Sequence, residues 1–146
     1  MVGKTKKIIA YVMVAAILVA ITKEYFLWNK KHIDVVRTDG IEIVAGVLYK
    51  SFTADSAAAN KNYVQHVLQV SGTVSSVTEN QQSNTVVLLK TMADGAYINC
   101  TMEEKKTGVK EGTGILIKGI CNGIGQADPD LGILGDVYLV RCYLVK

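Results

Sequence analysis

The chain has 146 residues, 49% of them hydrophobic, which is room for one modest domain and an N-terminal extra. Its formal net charge of +3 sits at the start, on Lys4, Lys6, Lys7 and Lys23 against Glu24. From residue 29 onward 12 basic side chains meet 12 acidic ones, so charge alone gives the globular part no polyanion-binding character.

Residues 8–21 form an uninterrupted apolar run in which only the Tyr11 hydroxyl is polar. The lysines before it orient such a segment with its N-terminus in the cytoplasm. Fourteen helical residues span about 21 Å, short of a hydrocarbon core of about 30 Å, and that length alone suits a cleaved signal peptide. Cleavage, however, needs small residues, and Ala20-Ile21-Thr22 is a poor site. The helix can also run on to Trp28, which brings it to about 31 Å. Lys23 can then snorkel, and Tyr25, Phe26 and Trp28 suit the headgroup level. The expectation is an uncleaved signal anchor at 1–28, with a cleaved signal as the alternative. A run apolar all round, with lysine at both ends, does not read as an amphipathic helix of the fold.

Residues 29–40, "NKKHIDVVRTDG", read as a polar tether. The domain at 41–146 would then lie outside the cytoplasm, in the periplasm if the cell is Gram-negative. Residues 41–63 have helical character, because Val44, Val47, Leu48 and Phe52 recur at three- and four-residue steps. Asp55 is placed to cap a second helical turn, "SAAANKNY".

After Gln65 the period changes to two. In "HVLQVSGTVSSV", Leu68, Val70 and Val74 alternate with polar residues, and Gly72 falls on their face, where it permits a sharp bend or a close neighbour. Four more strands follow: "TVVLLK", "AYINCTM", "GILIKGIC" and "DVYLVRCYLVK". The charged stretch 103–111 joins the third strand to the fourth, and a Gly-rich loop with the lone Pro129 precedes the last strand. Five strands with a bent first member suit a small closed barrel in which that strand serves both halves. The expected fold is mainly β: a five-stranded barrel preceded by a helical segment, behind a transmembrane helix.

The run "LYKSFTADSAAANKNYVQHVLQVSGTV", a Cys-bearing third strand, "IKGICNG" and "DVYLVRCYLV" together resemble the tRNA_anti-like OB-fold family. Its members are small, mostly uncharacterised bacterial proteins, many with an N-terminal membrane segment and an "NK-H-DV" stretch like "NKKHIDV" here. The resemblance runs from residue 29 to 146, strongest at Ala59, Asn60, Tyr63 and the final cysteines. It departs at the loop 122–135, which is longer than the family's direct run into "DV". It implies an OB barrel and no assigned activity.

Cys121 and Cys142 fall in the last two strands. Outside the cytoplasm a disulfide between them would fasten the C-terminal strand; the alternative is three reduced cysteines packed as small apolar residues. Cys100, aligned with Ile98 and Met102, reads as core. Without a C-x-x-C or a His paired to a Cys, no metal site is expected. His32 and His66 have no acid or nucleophile at a telling spacing, so no catalytic residue and no cofactor are expected, and the chain reads as a non-enzyme. Asp128, Asp130 and Asp136 do not follow an EF-hand spacing. OB barrels that bind single strands combine a basic groove with stacking aromatics. Only Tyr97 and Lys90 offer such a face here, so nucleic acid is not the favoured partner. The expected role is a membrane-anchored binding or structural module for a protein, peptide or envelope component. Nucleic-acid or oligosaccharide binding through the barrel face is the alternative.

Overall fold

The structure, a computed structural model, describes the backbone of residues 2–28 and 33–146, with side chains from 3–22 and 33–146. The chain divides into two units, 1–33 and 34–146. The first holds helix α1 (Val2–Trp28). Its segment Gly3–Thr22 has a mean hydropathy of 1.8, and none of it is buried within the protein. Twenty residues of helix span about 30 Å, enough to cross a bilayer core, a length that signal sequences also reach. Tyr25, Phe26 and Trp28 fall within α1, but their side chains lie outside the described residues.

The second unit begins earlier than the sequence suggests. Residues 34–38 form a turn closed by Asp34, whose carbonyl accepts from the Thr38 amide at 2.9 Å and whose carboxylate accepts from the amides of Val36 and Arg37. The turn presents Val35, only 1% exposed, to Val67, Ile120, Val140 and Tyr143, which form a small apolar cluster apart from the main core. Lys118 Nζ donates to the Val36 carbonyl at 3.2 Å and pins the turn to the sheet. The stretch read as a polar tether over 29–40 packs with the domain from residue 34.

Strand β1 (Ile41–Val44) follows, and then helices α2 (Ala45–Ala54) and α3 (Ser56–Tyr63). Five strands complete the domain: β2 (Val67–Glu79), β3 (Thr85–Lys90), β4 (Tyr97–Met102), β5 (Gly114–Ile124) and β6 (Val137–Leu144). The sheet order is β1-β2-β3-β4-β6-β5, and β2 also pairs with β5. That last pairing closes β2 to β6 into a five-stranded barrel, as expected, with β1 added outside the ring.

The helical reading of residues 41–44 is corrected. Ile41, Glu42, Ile43 and Val44 run parallel to Leu68, Gln69, Val70 and Ser71. Ile43 thereby packs against the core beside Val70, while Ile41, at the start of the strand, stays exposed. The pairing partner, 27 residues away, decides the conformation of a four-residue segment whose apolar spacing also fits a helix. α2 then places Leu48, Tyr49 and Phe52 in the core. Full burial of side chains such as Leu48 and Phe52 contributes about 1.5–3 kcal/mol each. Asp55 caps α3 as expected, its carboxylate accepting from the Ala58 amide at 3.0 Å. The Tyr63 ring leans on Phe52, with centroids 6.2 Å apart.

The long strand β2 serves two neighbours. Its residues 67–73 pair antiparallel with β5, and 74–79 pair with β3 across a bulge at 74–76. Gly72 stands at the handover. A Cβ there would meet the Ala45 Cβ at 3.0 Å and the Leu89 side chain at 3.4 Å, so only glycine lets α2 and β3 close on the bend without displacement.

β6 is the strand that locks the ring, parallel to β4 and antiparallel to β5. Strict alternation from the inward Val137 and Leu139 would turn Cys142 outward. Instead the register slips by one residue between Leu139 and Cys142, and Arg141 takes a left-handed φ of 53°. This extra residue returns Cys142 to the core, fully buried with Leu139 and Val137.

Candidate functional site

Two surfaces of the barrel domain offer themselves. The first is the outer face of β2, β3 and β4, where an OB barrel carries its ligands. The β3–β4 register sets Lys90 opposite Tyr97, Leu88 opposite Asn99 and Val86 opposite Thr101. Since Val87 and Leu89 are buried inward, Lys90 and Tyr97 share the outward side and are cross-strand neighbours. The structure thus brings the two expected face residues together. What surrounds them is neutral and short: Ser76 and Thr78 of β2 pair with Leu88 and Val86. The charged connector is tied beside this face, since Thr85 Oγ1 donates to the Lys105 carbonyl at 2.6 Å. Arg141 meets Glu103 of the same connector at 3.7 Å.

The second surface was not anticipated. Val44 and Val47 are 54% and 53% exposed, and Met92 is 84% exposed. They line an open groove floored by Ala45, Gly46 and Gly72 and edged by Thr73, Lys90 and Thr91. Met92 lies across Gly46, where a Cβ would come within 3.1 Å of its Cγ. Beyond the Val44–Val47 ridge a second groove runs between Glu42, Ile43, Gln69, Ser71 and Leu116. β1 borders both, and among the described residues it pairs through one edge, the edge facing β2. The sequence signal lay in residues 44–48, but a helical reading of 41–63 hid the strand edge.

The remaining polar candidates have structural duties. Asp128 accepts from the amides of Asp130 and Leu131, capping the turn Pro129–Leu131. Asp136 accepts from the Tyr97 amide at 2.9 Å and so fixes the start of β4. His66 Nδ1 lies 3.1 Å from the Val64 carbonyl, and His32 falls outside the described residues. Among the described residues no group of three or more His, Cys, Asp or Glu side chains converges as a metal site would require.

All three cysteines are buried and unbonded. No disulfide joins Cys121 to Cys142 in this structure. They do lie on adjacent strands, but Leu139 stands opposite Cys121, and the β6 bulge intervenes before Cys142. Gly119 is what faces Cys142: a Cβ on it would overlap the Cys142 sulfur, with Sγ at 2.5 Å. Burial pushes the Cys142 thiol well above its ordinary value, and the neighbouring Cys100 thiol adds to the shift. Burial also raises Cys121, partly opposed by a hydrogen bond with the Gly123 backbone.

The five-stranded ring and its strand order are joined by a sequence match. The tRNA_anti-like family model matches residues 1–131, about nine-tenths of the chain. The chain belongs to the tRNA_anti-like family. The domain is accordingly an OB-fold module, and its barrel order is that of the observed sheet. The match differs from the resemblance over 29–146: it takes in α1 and stops before β6. Cys142 therefore lies outside the matched stretch. No curated protein matches the chain.

Proposed function

We propose that this tRNA_anti-like OB module is a non-enzymatic binding domain, anchored by α1 and held outside the cytoplasm. Its partner would be a protein, peptide or envelope component carrying an extended apolar segment. The observation that carries this reading is the exposed Val44–Val47–Met92 groove beside the open edge of β1. An open strand edge offers unpaired backbone donors and acceptors to an extended chain, and flanking apolar pockets select its side chains. The three lysines ahead of the apolar run support the orientation, with the N-terminus inside.

The test is a photo-crosslinking amino acid at Met92 in the full chain, in its native membrane, with the same probe at Thr78 on the barrel face as comparison. The reading expects a discrete polypeptide adduct from position 92 that Val47→Asp abolishes, and none from position 78. Adducts from 78 alone, insensitive to Val47→Asp, would remove the groove from consideration. The alternative, nucleic acid or oligosaccharide on the barrel face, draws on one observation, the adjacency of Lys90 and Tyr97.

A further inference from the structure

The core contains a sulfur-lined seam. Cys100 on β4 and Cys142 on β6 are both fully buried and face the same interior. β4 and β6 are directly hydrogen-bonded parallel neighbours, with Met102 opposite Cys142 and Cys100 the next inward position along β4. The bulge at 140–141 turns Cys142 inward, and Gly119 on its other flank leaves the sulfur its space. After burial, the Cys100 thiol is the group that most raises the Cys142 thiol, whereas the Cys121 thiol is influenced by the Gly123 backbone.

We infer that Cys100 and Cys142, not Cys121 and Cys142, are the barrel's cross-linkable pair, closing as a disulfide across the β4–β6 seam when the domain folds against a disulfide oxidant. The chemistry is thiol–disulfide exchange. One thiolate attacks the oxidant's disulfide and expels one thiolate from it, giving a mixed disulfide. The second cysteine then attacks its partner's sulfur and expels the other. Two protons and two electrons leave the cysteine pair, and the oxidant becomes two thiols. In the folded barrel neither sulfur meets solvent, so exchange precedes the docking of β6, and the finished bond is shielded from reductant. This inference does not depend on the proposed partner groove.

The full chain in detergent micelles is unfolded and reduced, refolded into a glutathione disulfide and glutathione mixture, then alkylated, digested and mapped by mass spectrometry without reduction. The expected main product carries one internal link, Cys100 to Cys142, with Cys121 alkylated only after denaturation. Cys121→Ser is expected to form the same link and Cys100→Ser none. The linked protein should unfold at higher urea than the same chain treated with reductant. A link that includes Cys121, or three free thiols after refolding, overturns the inference. Should Cys100→Ser fail to fold, the map of the unsubstituted chain and of Cys121→Ser still decides it.

Discussion

Gly72 and Ala45 meet so closely that a Cβ on the glycine would stand 3.0 Å from that of the alanine. The contact joins the bend of β2 to the first turn of α2. Gly72→Ala should cost about 1–3 kcal/mol, the usual range for overpacking a filled site. Gly72→Val should cost more. Urea unfolding of residues 34–146 measures it, and an unchanged midpoint for Gly72→Ala would show that α2 does not rest on the bend.

Val35 anchors the turn that precedes β1. Removing two methyl-sized groups in Val35→Ala should lower stability by about 1–3 kcal/mol. A fragment starting at Ile41 should lose at least as much, because Val67 and Ile120 would be uncovered. If fragments 34–146 and 41–146 unfold at the same urea concentration, the turn contributes nothing to the domain.

The raised thiols make stability fall in alkali when the protein is kept reduced. An unfolded cysteine ionises near its ordinary 9.0, while folded Cys142 ionises only well above it. In that window the unfolded state has released protons that the native state retains, so unfolding becomes easier as pH rises. The contribution is fully present below pH 9.0 and is lost on the way to the raised value, at up to about 1.4 kcal/mol per pH unit. Cys142→Ala should flatten this limb of the stability–pH curve. Equal slopes in both proteins would assign the alkaline loss to other groups.

Single-stranded nucleic acid should bind residues 34–146 poorly. Such binding draws on lysines and arginines that release counterions from phosphates. Here Lys105, Lys106 and Lys110 alternate with Glu103, Glu104 and Glu111, and Lys90 with Tyr97 makes a small site. Titration of a labelled oligonucleotide at about 50 mM salt favours binding most. Micromolar affinity that drops steeply with salt would shift the function to the barrel face.

What the sequence revealed and what it hid differ in kind. The five barrel strands were legible as short apolar, β-branched runs between turn residues, alternating clearly in the first, and Gly72 marked the bend. Asp55 was legible as a cap because capping is local. Residues 41–44 were not, since "IEIV" becomes a strand only through its pairing with Leu68–Ser71. Val35 was hidden because one valine in a polar stretch carries no pattern. The inward turn of Cys142 was hidden because its cause is Arg141 in a conformation that no glycine announced. The exposed groove depends on the same unread strand, so it was missed with it.

β6 is made after every strand it joins. Until its eight residues have emerged, β4 and β5 have no neighbour on their facing edges, and the ring is an open sheet. At about 5–20 residues per second the wait is short, yet open strand edges are the surfaces on which nascent chains misassociate. If the domain is threaded across a membrane as it is made, that wait has a use: a sheet not yet closed into a ring lacks the pairing of β6 with β4 and β5 and is easier to unravel than the finished barrel. Folding and translocation would then be ordered by where in the message β6 is encoded.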